Sequence, residues 1–289
     1  MSEFNSETFN EFFSEKIKDK LFESNAFLST FDNHSEHLVG RTVHLPQYVS
    51  TPDIMVDGVS SISGSYGYGF DTVDVQPEDL TYIIQSYRIP TFRVTDFQEA
   101  LNKPDIMGAI GRNEIAALND VVAKKMLTKI GSDVVAGNKL TLAGSSFDHT
   151  DMLALAQKFD EQNILGERYV ILTPQMYYSL LADTAVRNSK DFGLDTLPKG
   201  VVNQVAGINI IVKPTVVKTD GSGTVTEGGG TDAALAYVST SISVAYNSPK
   251  VYTQAGVPQL YGNSMSGEVL MGASISRKDG AGVFLYENV

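Results

Sequence analysis

The four histidines, His34, His37, His44 and His149, are the side chains of this sequence best suited to acid–base or metal chemistry near neutral pH. The first three are close together along the chain, and imidazole nitrogen is a common ligand of zinc. His34 and His37 fall in a polar stretch where no predicted helix sets their spacing, so a solvated loop is favoured over a metal site. His149 begins a predicted helix and is the best candidate for the base of a dispersed Ser–His–acid hydrolase site, the least favoured of the functions considered.

Three glycine-rich stretches have some likeness to nucleotide-binding or nucleophile motifs, and none of them matches. "GSDVVAGNK" (131–139) has five residues between its glycines, where the phosphate loop has four, and Asn138 separates the second glycine from the lysine. "GSYGYG" (64–69) opens no predicted helix, and "GNSMSG" (262–267) lacks the G-x-S-x-G order of a nucleophile elbow. These stretches therefore predict neither a nucleotide site nor a catalytic serine.

Acidic side chains are concentrated in the segment between residues 53 and 79, and carboxylates of this kind are ligands that Ca²⁺ prefers. The members of this group are Asp53, Asp57, Asp71, Asp74, Glu78 and Asp79. Their order does not match the calcium-binding loop of the helix–loop–helix type. We interpret them as groups that keep an exposed segment soluble and pair with basic residues of a neighbouring molecule. The sequence thus predicts no catalytic residue, no cofactor site and no metal site, and a protein that is not an enzyme.

The stretch "ERYVILTPQMYYSLLAD" (167–183) predicts a strand that runs directly into a helix. Arg168 to Leu172 is apolar enough for a strand, Thr173 suits the helix N-cap, and Pro174 suits the first helical position. Many α/β enzymes carry their chemistry at such a junction. This one has no Cys, no His, no glycine-rich phosphate cradle and no paired carboxylates, so we expect it to be structural.

Composition narrows the class of protein further. The chain has 289 residues, of which 42% are hydrophobic, and it contains no cysteine, which excludes disulfides, thiolate metal sites and cysteine catalysis. No signal peptide is evident at the N-terminus, and no apolar run approaches the roughly 18 residues that span a bilayer. The net charge of −12 argues against tight binding to a phosphate backbone. We expect a protein that folds in the cytoplasm and has no membrane partner.

Two elements near the N-terminus are predicted to reach beyond a single globular core. Residues 7–23 form an amphipathic helix, which packs on its own domain or docks on a neighbouring subunit; the sequence does not decide between these two. Polar residues 29–36 are expected to separate this helix from the rest of the chain. Residues 41–90 are predicted to form a long β-hairpin arm whose two sides, at about 3.3 Å per residue, would reach roughly 50 Å. Such an arm cannot bury both faces against its own chain, so it needs a partner.

A long helix is predicted over residues 105–130, with Asp105 as its cap and Gly131 as its terminator. Gly108 and Gly111 weaken its first turns and predict a bend there. The predicted buried stripe consists of Leu118, Val122, Met126 and Ile130. The predicted polar positions opposite it are Asn113, Asp120, Lys124 and Thr128.

The remainder of the chain is predicted to be an α/β segment followed by strands. Residues 148–164 are predicted to be helical, and "GVVNQVAGINIIVKPTV" is predicted to be two strands that turn at Ala206–Gly207. Residues 218–231 are expected to be an exposed loop, and "AALAYVSTSISVAY" supplies one or two strands. The last 41 residues are predicted to contain three extended runs that end in a hairpin through Lys278–Asp279–Gly280.

This order of elements resembles that of the major capsid proteins of tailed bacteriophages, whose Hong Kong 97-like fold is shared with encapsulins. The stretches that carry the resemblance are "ERYVILTPQMYYSLLAD", "GVVNQVAGINIIVKPTVV" and "AYNSPKVYTQAGV". The resemblance implies an α+β fold with five parts. These are an N-terminal arm (1–40), an extended β-hairpin loop (41–95), a peripheral domain with a spine helix (96–144), an axial domain (145–247) and return strands of the peripheral domain (248–289).

The resemblance also implies a function and a set of partners. The chain would self-assemble as pentamers and hexamers into the icosahedral shell around the double-stranded DNA of a tailed phage, in the bacterial cytoplasm and then in the virion. Its partners would be copies of itself, a separate scaffolding protein, a portal, a decoration protein, and DNA contacted weakly without sequence specificity. Residues 41–90 contain no lysine, so the Lys–Asn cross-link of some relatives is not expected. The alternative is an encapsulin-type compartment that encloses a cargo enzyme.

Overall fold

The structure is a computed structural model, and it combines three α-helices with two large β-sheets in the part of the chain that it describes. The described residues are 25–48, 55–56, 59–60, 77–95, 106–141, 146–183, 204–214, 216–220, 224–247, 249–257, 262–277 and 279–287. The helices are α1 (Ile106–Asp133), α2 (His149–Gln162) and α3 (Pro174–Ala182). Short 3-10 turns occur at Ala26–Thr30, Ser35–His37, Ala136–Asn138 and Ser239–Ser241.

Eighteen strands are described, many of them short. In chain order they are β1 (Asp32–Asn33), β2 (Leu38–Val39), β3 (Thr42–Tyr48), β4 (Met55–Val56), β5 (Val59–Ser60), β6 (Pro77–Ile83), β7 (Gln85–Thr95), β8 (Lys139–Thr141), β9 (Arg168–Leu172), β10 (Gln204–Val205), β11 (Ile208–Val212), β12 (Val217–Thr219), β13 (Val225–Thr226), β14 (Thr231–Val238), β15 (Ile242–Tyr246), β16 (Lys250–Val257), β17 (Gly262–Ile275) and β18 (Val283–Glu287).

The strands form two large sheets and two small ones. The five-stranded sheet has the order β1-β15-β17-β16, and β7 pairs with β17. The eight-stranded sheet has the order β10-β11-β9-β14-β12-β13, with β18 between β14 and β8. β2, β3 and β6 form a separate ribbon, and β4 pairs with β5.

Helix α1 unites the two large sheets in one hydrophobic core. Its predicted apolar stripe is confirmed, because Leu118, Val122, Met126 and Ile130 are all buried among residues of both sheets. The opposite side is polar at Asp120 and Lys124, which are exposed. Asp105 lies outside the described residues, and the predicted bend at the helix start stays a prediction.

The prediction that Gly131 ends this helix is wrong, because α1 continues to Asp133. A Cβ atom at Gly131 would lie 2.7 Å from Cγ1 of Val217. The glycine therefore permits the close approach of helix α1 to strand β12. From the sequence alone, a glycine needed for such packing cannot be told apart from a glycine that ends a helix.

The chain around residues 25–37 is part of the folded body and not the detached connector that the sequence predicted. Phe27, Leu28 and Phe31 are buried in the same core as α1, and β1 pairs with β15 in parallel. Three large apolar side chains within five positions outweigh the polar residues around them, since each contributes about 1.5–3 kcal/mol when buried. Residues 7–23, where the amphipathic helix is predicted, lie outside the described residues.

Strand β18 corrects the predicted terminal hairpin. It does not pair with β17 but lies between β14 and β8 in the other large sheet. Every residue of β18 is buried, with Val283 and Leu285 in the α1 core and Phe284 in the core on the opposite face of the sheet. An unbroken apolar run of this kind is typical of a strand covered on both faces, which a terminal hairpin does not provide.

Several local predictions are confirmed. Helix α2 occupies 149–162, and a hydroxyl cap at Thr173 accepts from the Met176 backbone N–H at 3.3 Å with Pro174 in the first turn of α3. The turn at Ala206 and Gly207 has positive φ at both positions, as a tight hairpin requires. The predicted exposed loop at 218–231 is confirmed only in part: Gly228 to Gly230 are exposed, but Lys218 and Thr219 belong to β12, which pairs with β13 and β14, and Thr219 is fully buried. None of the described helices is both long enough and apolar enough to cross a bilayer.

Candidate assembly surfaces

The ribbon of β2, β3 and β6 is the described part of the predicted β-arm. β3 and β6 pair antiparallel from Thr42 opposite Ile83 to Tyr48 opposite Pro77, so the two sides of the arm run together over seven residues. β4 and β5 pair farther along the same arm, and most of the segment between Ser60 and Pro77 lies outside the described residues. The predicted hairpin is therefore confirmed at its base.

A small hydrophobic cluster fixes the base of the arm to the five-stranded sheet. Val43, Leu45, Tyr82 and Ile84 are buried together with Ala245 of β15. The Tyr82 hydroxyl lies 2.8 Å from Oγ of Ser243, and burial raises the pKa of Tyr82 above its ordinary value. These buried residues, which we call the root of the arm, anchor it to the body of the protein.

Gly272 of β17 lets the root of the arm lie directly on the sheet. A Cβ atom there would be 3.0 Å from Cα of Ile84 and 3.3 Å from the carbonyl oxygen of Ile83. We expect Gly272→Val to cost about 1–3 kcal/mol of unfolding free energy, because the neighbouring atoms are backbone and cannot rotate away. Urea denaturation measures this cost, and limited proteolysis reports loosening of the arm.

Gly228→Val is the matched control for that variant. Gly228 has open space around its Cβ position and does not require positive φ, so this change should leave stability within about 0.5 kcal/mol of wild type. Equal stability of the two variants would show that the close packing at Gly272 is not needed.

Two large apolar side chains of the ribbon are exposed. Val39 is 71% exposed and Ile83 is 69% exposed. Among the described strands, none pairs with the outer edge of β6. The open edge of β6, which carries the exposed Ile83, is a template for pairing with another chain.

A second group of exposed apolar side chains lies at the strand–helix unit of β9 and α3. Leu165, just before β9, is 87% exposed, and Tyr178 on α3 is 68% exposed. Leu165 precedes β9 in the chain, and Tyr178 lies in the middle of α3, which follows it. This unit therefore presents two large apolar groups to the outside.

The histidines do not form a catalytic or metal site in the described part of the chain. His34 and His37 have ring centroids 5.8 Å apart on the turn at Ser35–His37, and Nδ1 of His34 lies 3.1 Å from Oγ of Ser243. Nδ1 of His44 on β3 lies 2.7 Å from Oδ2 of Asp79 on β6. The two residues are 35 positions apart, and the sequence did not predict this contact. No group of three potential metal-ligating His, Cys, Asp or Glu side chains occurs among the described residues.

His149 and two of the three glycine-rich stretches lie in or between described helices and strands. The backbone N–H of His149 donates to Asp183 at 3.0 Å, joining the start of α2 and the end of α3. Residues 131–139 run from the end of α1 into β8, and the side-chain amide of Asn138 donates to the Gly280 carbonyl at 2.8 Å. Residues 262–267 lie inside β17, while residues 64–69 and the acidic positions up to Asp74 lie outside the described residues.

The strand–helix junction opens onto a small polar cavity of about 260 Å³. Thr173 and Met176 line one side, and Lys218 and Asp232 line the other, with 3.5 Å between the ammonium and carboxylate groups. The Thr173 hydroxyl is already used as the helix cap. No histidine is among the described residues that line the cavity.

One buried polar contact was not predicted from the sequence. Nζ of Lys213 donates to Oδ1 of Asn25 and lies 5.0 Å from the ring centroid of Phe27, while Asn25 Nδ2 donates to the Asn119 carbonyl at 3.3 Å. Burial lowers the pKa of Lys213, and the nearby Asp120 carboxylate opposes that shift. Together these contacts join the N-terminal segment, β11 and α1 in one network.

Comparison with known proteins identifies the family. The family model described as phage capsid protein matches residues 69–287. The capsid of cyanophage P-SCSP1u is 17% identical, with 90% of this chain and 86% of that chain covered and a TM-score of 0.68. Mycobacterium phage Che8 gives 15% identity, 91% and 90% coverage and a TM-score of 0.68.

A virus-like particle from Pyrococcus furiosus is 14% identical, with 96% of this chain and 99% of that chain covered and a TM-score of 0.59. No curated protein sequence matches the chain. At these identities the structural likeness establishes the fold, and the family model covers well over half of the chain. The chain belongs to the phage capsid protein family and has the Hong Kong 97-like fold of tailed-phage major capsid proteins.

Proposed function

We propose that this chain forms the icosahedral shell of a tailed phage by self-assembly as pentamers and hexamers, and that the shell encloses double-stranded DNA. The observation that carries the proposal is the β-arm. Its root is buried in the subunit's own body, whereas the exposed Val39 and Ile83 and the open edge of β6 face outward. A projecting ribbon of this kind buries its apolar surface only against another molecule, and in a homo-oligomer that molecule is an identical subunit.

We propose that the chain has the five parts expected from the sequence, and that each part has its own place in the shell. The segment 145–247 acts as the axial domain around the five-fold and six-fold positions, with Leu165 and Tyr178 supplying apolar contacts between neighbours. Segments 96–144 and 248–289 act as the peripheral domain, and 1–40 and 41–95 act as arms. Packing between identical neighbours explains why the strand–helix junction at Thr173 is well formed without carrying catalytic groups.

The chemistry of the chain fits a container better than an enzyme. With a net charge of −12, the protein would contact packaged DNA weakly and without sequence specificity, which favours packaging and release. Assembly would involve a separate scaffolding protein, a portal and a decoration protein, and the virion would be the site of function. No catalytic, cofactor or metal role is proposed for any residue.

Expression of the chain alone, followed by sedimentation and negative-stain electron microscopy, tests the proposal. We expect closed shells or rings of five or six subunits. If only a 31.3 kDa monomer forms, co-expression with a scaffolding protein should restore shells. A protein that remains monomeric in both conditions would contradict self-assembly.

A second candidate is an encapsulin-type compartment with a protein cargo. The likeness to the virus-like particle from Pyrococcus furiosus, which extends over nearly the whole of both chains, is the observation that favours it. The contents of purified particles discriminate the two functions. Nuclease-protected double-stranded DNA supports the phage shell, and a single co-purified enzyme supports the compartment.

A further inference from the structure

The contact between Lys213 and Asn25 brings a side-chain amine and a side-chain carboxamide together inside the protein. Lys213 directly follows β11, and Asn25 directly precedes the turn at Ala26–Thr30. Nζ of Lys213 donates to Oδ1 of Asn25, although the two residues are 188 positions apart. Asn25 is fully buried, and Lys213 is only 9% exposed. The two groups that would react to join a lysine to an asparagine are therefore already in contact and largely out of bulk water.

Hydrogen bonds hold both partners of this contact in place. The carbonyl of Asn25 accepts from the Leu28 backbone N–H at 2.9 Å, and its Nδ2 donates to the Asn119 carbonyl of α1 at 3.3 Å. The backbone N–H of Lys213 donates to the Leu172 carbonyl of β9 at 2.9 Å. Two reacting groups held at about 3–3.5 Å in a fixed orientation have an effective molarity of about 10⁵–10⁸ M. The fold thus supplies the orientation that a slow reaction between an amine and an amide needs.

The surroundings of the Lys213 amine increase its neutral fraction and offer an acceptor for its proton. Burial lowers the pKa of Lys213, and the nearby Asp120 carboxylate opposes that shift. The ring centroid of Phe27 lies 5.0 Å from Nζ and helps to cover the amine. A desolvated lysine is a better nucleophile than an exposed one, because the neutral amine is the reactive form. Asp120 is exposed, so a proton that it accepts can also exchange with solvent.

Asn119 provides acceptors for the nitrogen that would leave Asn25. Its carbonyl already accepts from Nδ2 of Asn25. Its side-chain Oδ1 is buried and has no hydrogen-bond partner, and the residue as a whole is 2% exposed. Buried acceptors are normally paired, so the non-covalent contacts leave the polar network around Asn25 incomplete.

We propose that Lys213 and Asn25 join in an isopeptide bond within the chain. The Lys213 ammonium transfers one proton to the Asp120 carboxylate. Nζ then forms a bond to Cγ of Asn25 while the bond between Cγ and Nδ2 breaks. Nδ2 departs as ammonia with its own two hydrogens and one proton from Nζ, and the proton held by Asp120 converts this ammonia to ammonium. Nothing is oxidised or reduced, so the reaction requires no co-reactant.

The bond fixes the N-terminal segment covalently to the end of β11. It lies within one subunit, so the inference is independent of shell formation, and it differs from a cross-link between subunits through the β-arm. Each chain reacts once with itself and no substrate is turned over, so the protein remains a structural protein and not an enzyme.

Mass spectrometry of the folded full-length chain tests the proposal. We expect most chains to weigh about 17 Da less than the sequence mass, because each has lost one ammonia. Trypsin does not cleave between lysine and proline, so the Lys213–Pro214 bond remains intact. Digestion should therefore give one branched peptide that joins residues 21–41 to residues 200–218. Chains that keep the full sequence mass after prolonged incubation in the folded state would overturn the proposal.

The branched peptide is the deciding observation, because cyclisation of an asparagine to a succinimide also releases ammonia. A loss of about 17 Da confined to a linear peptide 21–41 would indicate the succinimide and overturn the proposal. Lys213→Arg keeps the positive charge but carries a guanidinium that stays protonated, so this variant should keep the full mass. Lys218→Arg is the matched control and should still lose ammonia. An equal loss in Lys213→Arg would exclude Lys213 as the nucleophile.

Mobility on a denaturing gel supplies a second readout that needs no digestion. A bond between residues 25 and 213 closes a loop that persists after unfolding, so the wild-type chain should migrate faster than Lys213→Arg. The chain contains no cysteine, so disulfides cannot produce this difference. Equal mobility of the two chains would mean that Lys213 and Asn25 are joined by a hydrogen bond only. The wild-type mass and branched peptide decide the question even if the variant fails to fold.

Discussion

Deletion of residues 52–76 should leave a folded, soluble subunit that no longer forms stable shells. The deletion removes the distal arm but leaves β3, β6 and all seven of their paired positions, from Thr42 opposite Ile83 to Tyr48 opposite Pro77. The buried root of Val43, Leu45, Tyr82 and Ile84 is also retained. Because the removed segment contributes nothing to the described cores, we expect the unfolding midpoint in urea to change little.

The loss of shells results from the area that neighbouring subunits would no longer bury. A stable protein–protein interface needs about 1,200–2,000 Å² of buried surface, and a projecting ribbon is the part of the chain that can supply much of it. Sedimentation and electron microscopy of the deletion variant measure the effect. A second variant that replaces residues 52–76 with a flexible Gly/Ser segment of equal length controls for chain connectivity. Normal shells from either variant would refute the role given to the arm.

Replacement of Tyr237 by alanine should destabilise the subunit by about 3–5 kcal/mol, a large part of the roughly 5–15 kcal/mol typical of a folded domain. Tyr237 is completely buried near the end of β14. Its ring stacks on Tyr169 with 5.7 Å between centroids and makes an edge contact with Phe31 at 5.1 Å. The substitution therefore leaves a cavity between the eight-stranded sheet and the N-terminal segment.

Tyr237→Phe distinguishes the contribution of the aromatic ring from that of the hydroxyl group. The hydroxyl of Thr30 donates to the Phe27 carbonyl at 2.7 Å, so it accepts from the Tyr237 hydroxyl, also at 2.7 Å. Without the tyrosine hydroxyl, Thr30 still donates to the Phe27 carbonyl, and the loss in unfolding free energy should be about 1 kcal/mol. Urea denaturation of both variants measures these costs. Similar losses in the two variants would show that the ring itself contributes little.

Tyr237→Ala also tests how residues 25–33 are anchored to the rest of the subunit. Phe31 and Thr30 both contact Tyr237, so the cavity should loosen residues 25–33 before the rest of the subunit unfolds. Hydrogen exchange of this segment should therefore increase more in Tyr237→Ala than in Tyr237→Phe. Uniform loss of protection across the chain would instead indicate a single cooperative unit.

Features that depend on neighbours in sequence could be predicted without the structure. The apolar spacing of Leu118, Val122, Met126 and Ile130 predicts helix α1, and Thr173 followed by Pro174 predicts the start of α3. The turn at Ala206 and Gly207 has the same local origin, since few residues adopt positive φ. The expectation that no residue is catalytic also has a local origin, because catalytic motifs require particular residue types at particular spacings, and none was recognised in the sequence.

Features that depend on distant partners were decided by the tertiary structure alone. Helix propensity cannot reveal that Gly131 is needed for the approach of Val217, or that β18 pairs with β14 and not with β17. The contact between Lys213 and Asn25 joins residues 188 positions apart, and no local pattern predicts it. By itself the sequence determined most of the elements and their order, since these depend on short-range geometry and composition. The sheet that each strand joins, the root of the arm and the anchoring of residues 25–33 were decided only by burial of apolar surface among residues far apart in the chain.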